Sequence, residues 1–437
     1  MMTLTHQLIQ LIRSKPIAPA DLQRTSIMTL DALANSVGGR NSDAGTRFLR
    51  WSSEQGQDAG RDALLAGALC HILETDDLHR TSVTHPGCVV VPAVFALARR
   101  HQLSSGELLR AILHGFEAMC RVGMAVGSEH YRIWHNTATC GPFGSAMAAA
   151  SLLGLDEEMA LSALGNAGTQ SSGLWEFLET GAMSKHLHAG RAAESGVLAA
   201  QLSAHGFTGP PRILEGEKGF FMATCANPRP DAIAVNPDAP WQLSETSIKP
   251  WPSCRHTHPA IDAALAIHRQ LNSQEIESVA VDTYQAAMDV CDRRHPDSEY
   301  AGKFSIYHCV AVALEDGVVD FSSFGGEPRH RLIKLRSLIS AEAREPYLSG
   351  YPEFWGSSVT VKLKDGSTLC EARNAAKGDP EAALSDADMV AKAHMLLAHG
   401  GLSEGQAAGF IALILGLAED PAADCRAAVD TFWSHLG

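Results

Sequence analysis

Five short polar clusters stand far apart in a chain that is otherwise apolar and rich in alanine. Glu74-Thr75-Asp76-Asp77, with His85-Pro86-Gly87, comes first. Then follow Trp134-His135, Ser184-Lys185-His186-Leu187-His188-Ala189-Gly190, Pro252-Ser253-Cys254-Arg255-His256-Thr257-His258-Pro259 and Phe304-Ser305-Ile306-Tyr307. Each carries an acid, a base or a cation of a type that proton-transfer chemistry uses. No G-x-G-x-x-G follows a strand, so a dinucleotide-binding domain is rejected. His186-x-His188 and His256-x-His258 are spaced to ligate a metal, but H-E-x-x-H is absent and no third ligand is evident, so no metal is expected. Side chains of these types, drawn from distant segments, predict one pocket that works on a small charged metabolite.

Glu74, Asp76 and Asp77 fall at the end of an apolar helix predicted over 63–73. Carboxylates at a helix C-terminus oppose its dipole by roughly 0.3–1 kcal/mol each. Three together are therefore expected to accept protons or orient a base; the plainer alternative is a solvated helix end. His85 follows in a loop, as a structural hydrogen-bonding residue or as an acid–base group beside those acids. His135 precedes Asn136-Thr137-Ala138-Thr139, where Thr137 or Thr139 is expected to cap a helix whose buried N-terminus would suit an anion. Lys185 stands among few other charges, either snorkelling from a helix end or holding a lowered pKa in apolar surroundings. Arg255 offers a fork suited to a carboxylate, and His256 and His258 can act as acid or base. Tyr307 shares a predicted helix with Val310, Val312 and Leu314, as a core residue or as a hydroxyl that donates a proton.

The elements that must position these groups follow from composition and pattern. A chain of 437 residues is too long for one ordinary core, so two domains are expected. With 45% hydrophobic and 19% charged residues the composition is that of a globular protein. Lys+Arg of 35 against Asp+Glu of 49 gives a net charge of −14, whose field repels nucleic acid and anionic membrane surfaces alike. The ten cysteines are scattered singly and read as free thiols in a reducing cytoplasm. The start has no signal-peptide pattern, and no apolar run is long enough to span a membrane.

The first half reads as helix after helix. Ile27, Leu30, Ala34 and Val37 follow helical spacing, as do Leu108, Ile112, Phe116 and Met119. Pro92 is expected in the first turn of a helix over 93–101, and the small residues of 144–154 predict a tightly packed central helix. Further helices are expected over 159–167 and 192–205, then an irregular, Gly- and Pro-rich connection over 207–240. Alternation at 279–283 and at Val359, Val361 and Leu363 predicts strands. Asp365-Gly366 predicts a hairpin turn into 367–372, and helices are expected over 259–270 and 304–314. After Ser385 the chain is helical again, with Ser403-x-x-Gln406 as a capping box. The expected fold is mainly α: a large all-helical domain from both chain ends (1–246 and 397–437) and a smaller α+β domain (247–396).

Taken together the clusters resemble the MmgE/PrpD family, which includes 2-methylcitrate dehydratase, cis-aconitate decarboxylase and iminodisuccinate epimerase. The likeness is carried by Asp76-Asp77…His85-Pro86-Gly87, Trp134-His135 with Gly144-Ser145-Ala146, Lys185–Gly190, Lys249–Pro259 and Phe304-Ser305-Ile306-Tyr307. It runs over nearly the whole chain. The resemblance implies a helical domain, an α+β lid domain, a pocket between them, a homodimer, and chemistry without metal or organic cofactor. It also implies that His85, His135, Lys185, His258 and Tyr307 are catalytic. Glu74, Asp77 and Arg255 are expected to bind substrate. Glu74 stands where some members carry aspartate, and Leu78 where the decarboxylase carries threonine. The expected function is proton abstraction beside a carboxylate of a small di- or tricarboxylate, completed as a dehydration. Epimerisation, decarboxylation and a non-catalytic carboxylate-binding protein are the alternatives.

Overall fold

Small residues set how closely the helices of the large unit approach one another. The computed structural model describes residues 2–437; Met1, with which the expected first domain begins, lies outside the described residues. The helices are α1 (Leu4–Ser14), α2 (Pro19–Gly39), α3 (Asp43–Ser53), α4 (Ala59–Cys70), α5 (Gly87–Ala98), α6 (Ser105–Ala125), α7 (Asn136–Leu152), α8 (Glu157–Gly168) and α9 (Ser184–Ala204). The small-residue helix α7 lies against α5, α6, α8 and α9. A Cβ on Gly115 of α6 would meet Ala148 Cβ at 2.8 Å and Gly144 O at 2.9 Å, so only glycine lets these two backbones meet. Ser145 Oγ donates to Ala192 O at 2.6 Å and ties α7 to α9.

Two local expectations are corrected. Pro92 lies inside α5 instead of opening a helix. Proline there removes the N–H that would bond Cys88 O. Every residue of α5 is buried, so packing overrides the local cost. The helix expected over 63–73 is α4, capped by Asp58 Oδ1 at Arg61 N (2.9 Å) and ended at Cys70. The acids therefore stand in the loop beyond it, not in its last turn. In that loop Glu74 has φ 62° and, further on, Val83 has φ 51°. Such left-handed backbone is costly for a residue with a Cβ, most of all a β-branched one.

Strand β1 (Leu78–His79) pairs antiparallel with β2 (Thr246–Ser247) and pins this loop to the end of the first segment. The helices Asp386–His399 and Glu404–Gly416 pack on α2, and Arg426–Leu436 and the short Phe220–Thr224 also belong to this unit. Ser403 and Gln406 form the capping box. This unit takes the chain up to Ser247 together with Ser385–Gly437. The helix Asp386–His399, divided by the expected boundary at 396/397, lies wholly within it.

The second unit, Ile248–Leu384, holds a four-stranded sheet. Strands β3 (Ile276–Thr283), β4 (Ile339–Ala343), β5 (Ser357–Leu363) and β6 (Thr368–Arg373) lie in the order β4-β3-β5-β6. β3 runs parallel to β4 and antiparallel to β5, with Val279 opposite Ile339 and Val361. Val279, Val281, Val359, Val361 and Leu363 share one core with the helices His258–His268 and Ile306–Asp316. Gly366, at φ 89°, turns β5 into β6. The chain is mainly α with a small α+β part. All ten cysteines are free, with Cys370 exposed. Among the described residues, no helix is long and apolar enough to cross a membrane.

Candidate active site

The loop after α4 folds back so that one carboxylate faces two imidazoles. Asp76 Oδ2 lies 2.6 Å from His71 Nδ1 and 3.3 Å from His85 Nδ1. The His71 ring meets His85 edge-on, with centroids 4.8 Å apart, and stacks on His135 at 5.6 Å. His71 is not among the expected site residues. It stands five positions before Asp76, and only the reversal of the loop brings its ring onto that carboxylate.

His85 is held from several sides. Its N–H donates to Thr137 Oγ1 at 3.1 Å, and its carbonyl accepts from Cys88 Sγ at 3.1 Å. Both oxygens of Asp77 take the Gly87 N–H at 3.0 Å, which shapes the turn after His85. A Cβ on Gly87 would press on that carboxylate at 3.0 Å. Thr137 is thus not the cap expected for α7, nor is Thr139, whose Oγ1 pairs with His130 Nε2 at 2.8 Å. His135 itself holds the N-cap position, with no side-chain cap bond. Its Nδ1 lies 3.3 Å from His188 Nδ1, and its ring packs on Trp175 at 4.7 Å. Lys185, the second residue of α9, forms a buried ion pair with Glu74.

Burial governs the charge states here. It drives His71 down to about 3, against a partial upward pull from Asp76, and His186 to about 4. Burial also lowers His135 well below its usual value, helped by the neighbouring His71, His188 and Lys185. Burial, with the charges of Asp76 and Asp31, lifts Asp77 well above the ordinary carboxylate range. Neutral imidazoles with one fixed ammonium make a site that can accept a proton and stabilise a nearby anion. Beside His188 lies a cavity of about 770 Å³ whose lining includes Trp134, Gln170, Ser184, Leu187 and Arg191. The large unit therefore gathers Glu74, Asp77, His85, His135 and Lys185 in one neighbourhood.

In the small unit, Arg255 pairs with buried Asp379, and its guanidinium lies 5.8 Å from the Trp355 ring centre. His256 stacks on Trp355 at 4.7 Å and meets Tyr284 OH through Nδ1 at 2.7 Å. His258 is the first residue of its helix, with Nε2 3.2 Å from Ser253 O. Tyr307 is the second residue of the helix Ile306–Asp316 and donates to Asp292 Oδ1 at 2.6 Å. A Cys254 N–H bond to Lys303 O (2.9 Å) joins the segments leading into these two packed helices, so His258 and Tyr307 stand at adjacent N-termini.

Among the described residues, two triples could hold a metal: His71, Asp76 and Cys88, and Asp76, Asp77 and His85, each with ligand atoms within 4.8 Å of one another. In the protein as it stands, His71 and the Gly87 N–H already occupy oxygens of Asp76 and Asp77.

A mainly helical chain with a small α+β part and a buried acid–base cluster defines a class that the family comparison makes specific. Residues 7–232 match the MmgE/PrpD N-terminal domain, and residues 251–417 the MmgE/PrpD C-terminal domain. The chain belongs to the MmgE/PrpD family of enzymes. It is similar to the cis-aconitate decarboxylase of Aspergillus terreus (strain NIH 2624 / FGSC A1156), 28% identical over 337 residues, 71% of this chain and 69% of that protein. The cis-aconitate decarboxylase of Homo sapiens is 27% identical over 347 residues, 76% of this chain and 71% of that one. The mitochondrial 2-methylcitrate dehydratase of Yarrowia lipolytica (strain CLIB 122 / E 150) is 24% identical over 269 residues, 57% and 51%.

Proposed function

We propose that the chain is a lyase that removes the proton beside a carboxylate of a small di- or tricarboxylate and expels a β-hydroxyl as water. The observation that carries this reading is a buried ammonium, Lys185 on Glu74, among imidazoles that burial keeps neutral. A C–H beside a carboxylate is weakly acidic, and a fixed cation supports the enolate-like charge that grows as the proton leaves. His85, which faces Asp76 and whose side chain keeps some exposure (14%), is the proposed base. The C–H electron pair forms the new double bond, the C–O bond breaks, and the departing oxygen takes a proton from an acid. The steps are proton transfers and one heterolytic C–O cleavage, with no net oxidation or reduction, so no redox cofactor is required.

His135 and Lys185 are proposed as catalytic with His85. Glu74 holds Lys185, and Asp77 holds the His85 turn. In the small unit His258 and Tyr307 are proposed as proton carriers. Arg255 is proposed to hold a substrate carboxylate, because its buried Nη1 has no hydrogen-bond partner among the described residues. A second reading, decarboxylation, is favoured by the longer match to the cis-aconitate decarboxylases.

A homodimer is proposed as well. Leu198 and Leu202, one turn apart on α9, are 44% and 37% exposed and form a small apolar patch that a second copy would cover. Free thiols favour a reducing compartment such as the cytoplasm.

Proton exchange in deuterium oxide, followed by NMR with candidate di- and tricarboxylates, tests the reading. Deuterium entering beside a carboxylate with loss of water supports dehydration, release of carbon dioxide supports the second reading, and inversion without loss shows an epimerase. No exchange and no product with any acid of the panel sinks all three.

A further inference from the structure

We propose that Asp76 is the positioning residue that sets the tautomer of His85. The inference rests on the reading of His85 as the base. Asp76 is 1% exposed, and one of its oxygens, Oδ2, faces both His71 Nδ1 at 2.6 Å and His85 Nδ1 at 3.3 Å. His85 Nδ1 is sealed from solvent, while the His85 side chain as a whole keeps 14% exposure. The accessible part of the ring is therefore away from Nδ1, toward Nε2.

A carboxylate oxygen opposite Nδ1 can only accept. It selects the imidazole with Nδ1–H and leaves the Nε2 lone pair for a substrate proton. Once Nε2 has taken that proton, the same oxygen stabilises the imidazolium. Among the described residues His85 Nδ1 makes no hydrogen bond as it stands, so the 3.3 Å contact is one that tightens when substrate binds, as catalytic hydrogen bonds often do. His71 fixes the carboxylate. Its shorter bond orients Oδ2, and its ring, edge-on to His85, blocks that imidazole from turning away. The loop is built for this placement: Val83, two residues before His85, sits at φ 51°, and the His85 N–H is anchored on Thr137. A side chain that merely filled the core would need neither the shared oxygen nor the strained approach.

The test is ¹⁵N NMR of the full chain labelled at histidine, with the His85 ring signals assigned from the His85→Gln protein. In the wild type, His85 is expected to carry its proton on Nδ1 and show Nε2 bare. Asp76→Asn is expected to move His85 to the other tautomer or to a mixture. It should also lower kcat by at least about 10²-fold with KM within about threefold, and Asp76→Glu should recover part of kcat. Should Asp76→Asn fail to fold, the wild-type spectrum still decides: a bare Nδ1 on His85 overturns the inference. An Asp76→Asn protein with unchanged tautomer and turnover overturns it too, while the base reading survives if His85→Gln is inactive. Full turnover in His85→Gln overturns the base reading, and this inference with it.

Discussion

Lys185 and Glu74, 111 residues apart in sequence, form an ion pair whose side chains are only 7% and 3% exposed. Burying both charges is costly, and each offsets much of that cost for the other. Lys185→Met and Glu74→Gln are each expected to lower stability by about 3–5 kcal/mol, since each removes the opposite charge of a buried pair. The double variant should cost far less than the sum, which urea unfolding of the three proteins measures. Turnover should be lost in every variant that lacks Lys185, including the stable double one. Turnover retained there would leave the pair a structural role alone.

His85→Ala and His135→Ala are expected to cut turnover by at least about 10²-fold while the chain stays folded, the usual size of a lost acid–base group. The two should differ in solvent exchange. His85→Ala abolishes deuterium incorporation beside the carboxylate, because no base remains to take the proton. His135→Ala slows the overall reaction and leaves some incorporation. Normal exchange in His85→Ala would move the base role elsewhere.

His256 gives a stability prediction with a definite sign. Burial, aided by the adjacent Arg255 charge, drives its pKa down to about 3, against about 6.5 in the unfolded chain. Between those values the unfolded state binds the proton and the native state does not, so folding loses stability as pH falls. The contribution is complete above pH ~6.5 and fades by up to ~1.4 kcal/mol per pH unit as acid is added. His256→Gln cannot take up that proton. It should be less stable than the wild type at pH 7.5, for want of the Tyr284 contact. The gap should narrow as urea midpoints are followed down to pH 4.5, and a constant gap would mean that His256 is protonated in the native chain.

How much of this was legible in sequence depended on whether the cause was local. The β5–β6 hairpin follows from alternation at Val359, Val361 and Leu363 plus the left-handed glycine of Asp365-Gly366. The capping box of Ser403 and Gln406 is just as local. Pro92 misled because a fully buried helix outweighs the preference of proline for a first turn. The end of α4 is not marked in the sequence, because apolar residues such as Ile72 and Leu73 continue past it into a buried loop. The role of His71 and the Lys185–Glu74 pair were out of reach, since both depend on where a left-handed Glu74 sends the chain. The residue types of the site were readable; their partners were not.

Tyr307 closes the set of proton carriers and allows structure and chemistry to be separated. Its hydroxyl donates to Asp292 Oδ1, and burial together with that carboxylate raises its pKa above the ordinary phenol value. It is therefore a neutral donor at physiological pH. Tyr307→Phe deletes one hydrogen bond and keeps the ring, so the expected loss of stability is only about 1 kcal/mol. Asp292→Asn also weakens that bond but leaves the phenol able to give its proton. If Tyr307 supplies the proton to the leaving oxygen, Tyr307→Phe loses at least about 10²-fold in kcat, while Asp292→Asn loses far less. Equal losses in the two variants, at equal stability, would instead mean that the bond matters for placing the ring and that the leaving group takes its proton from another side chain.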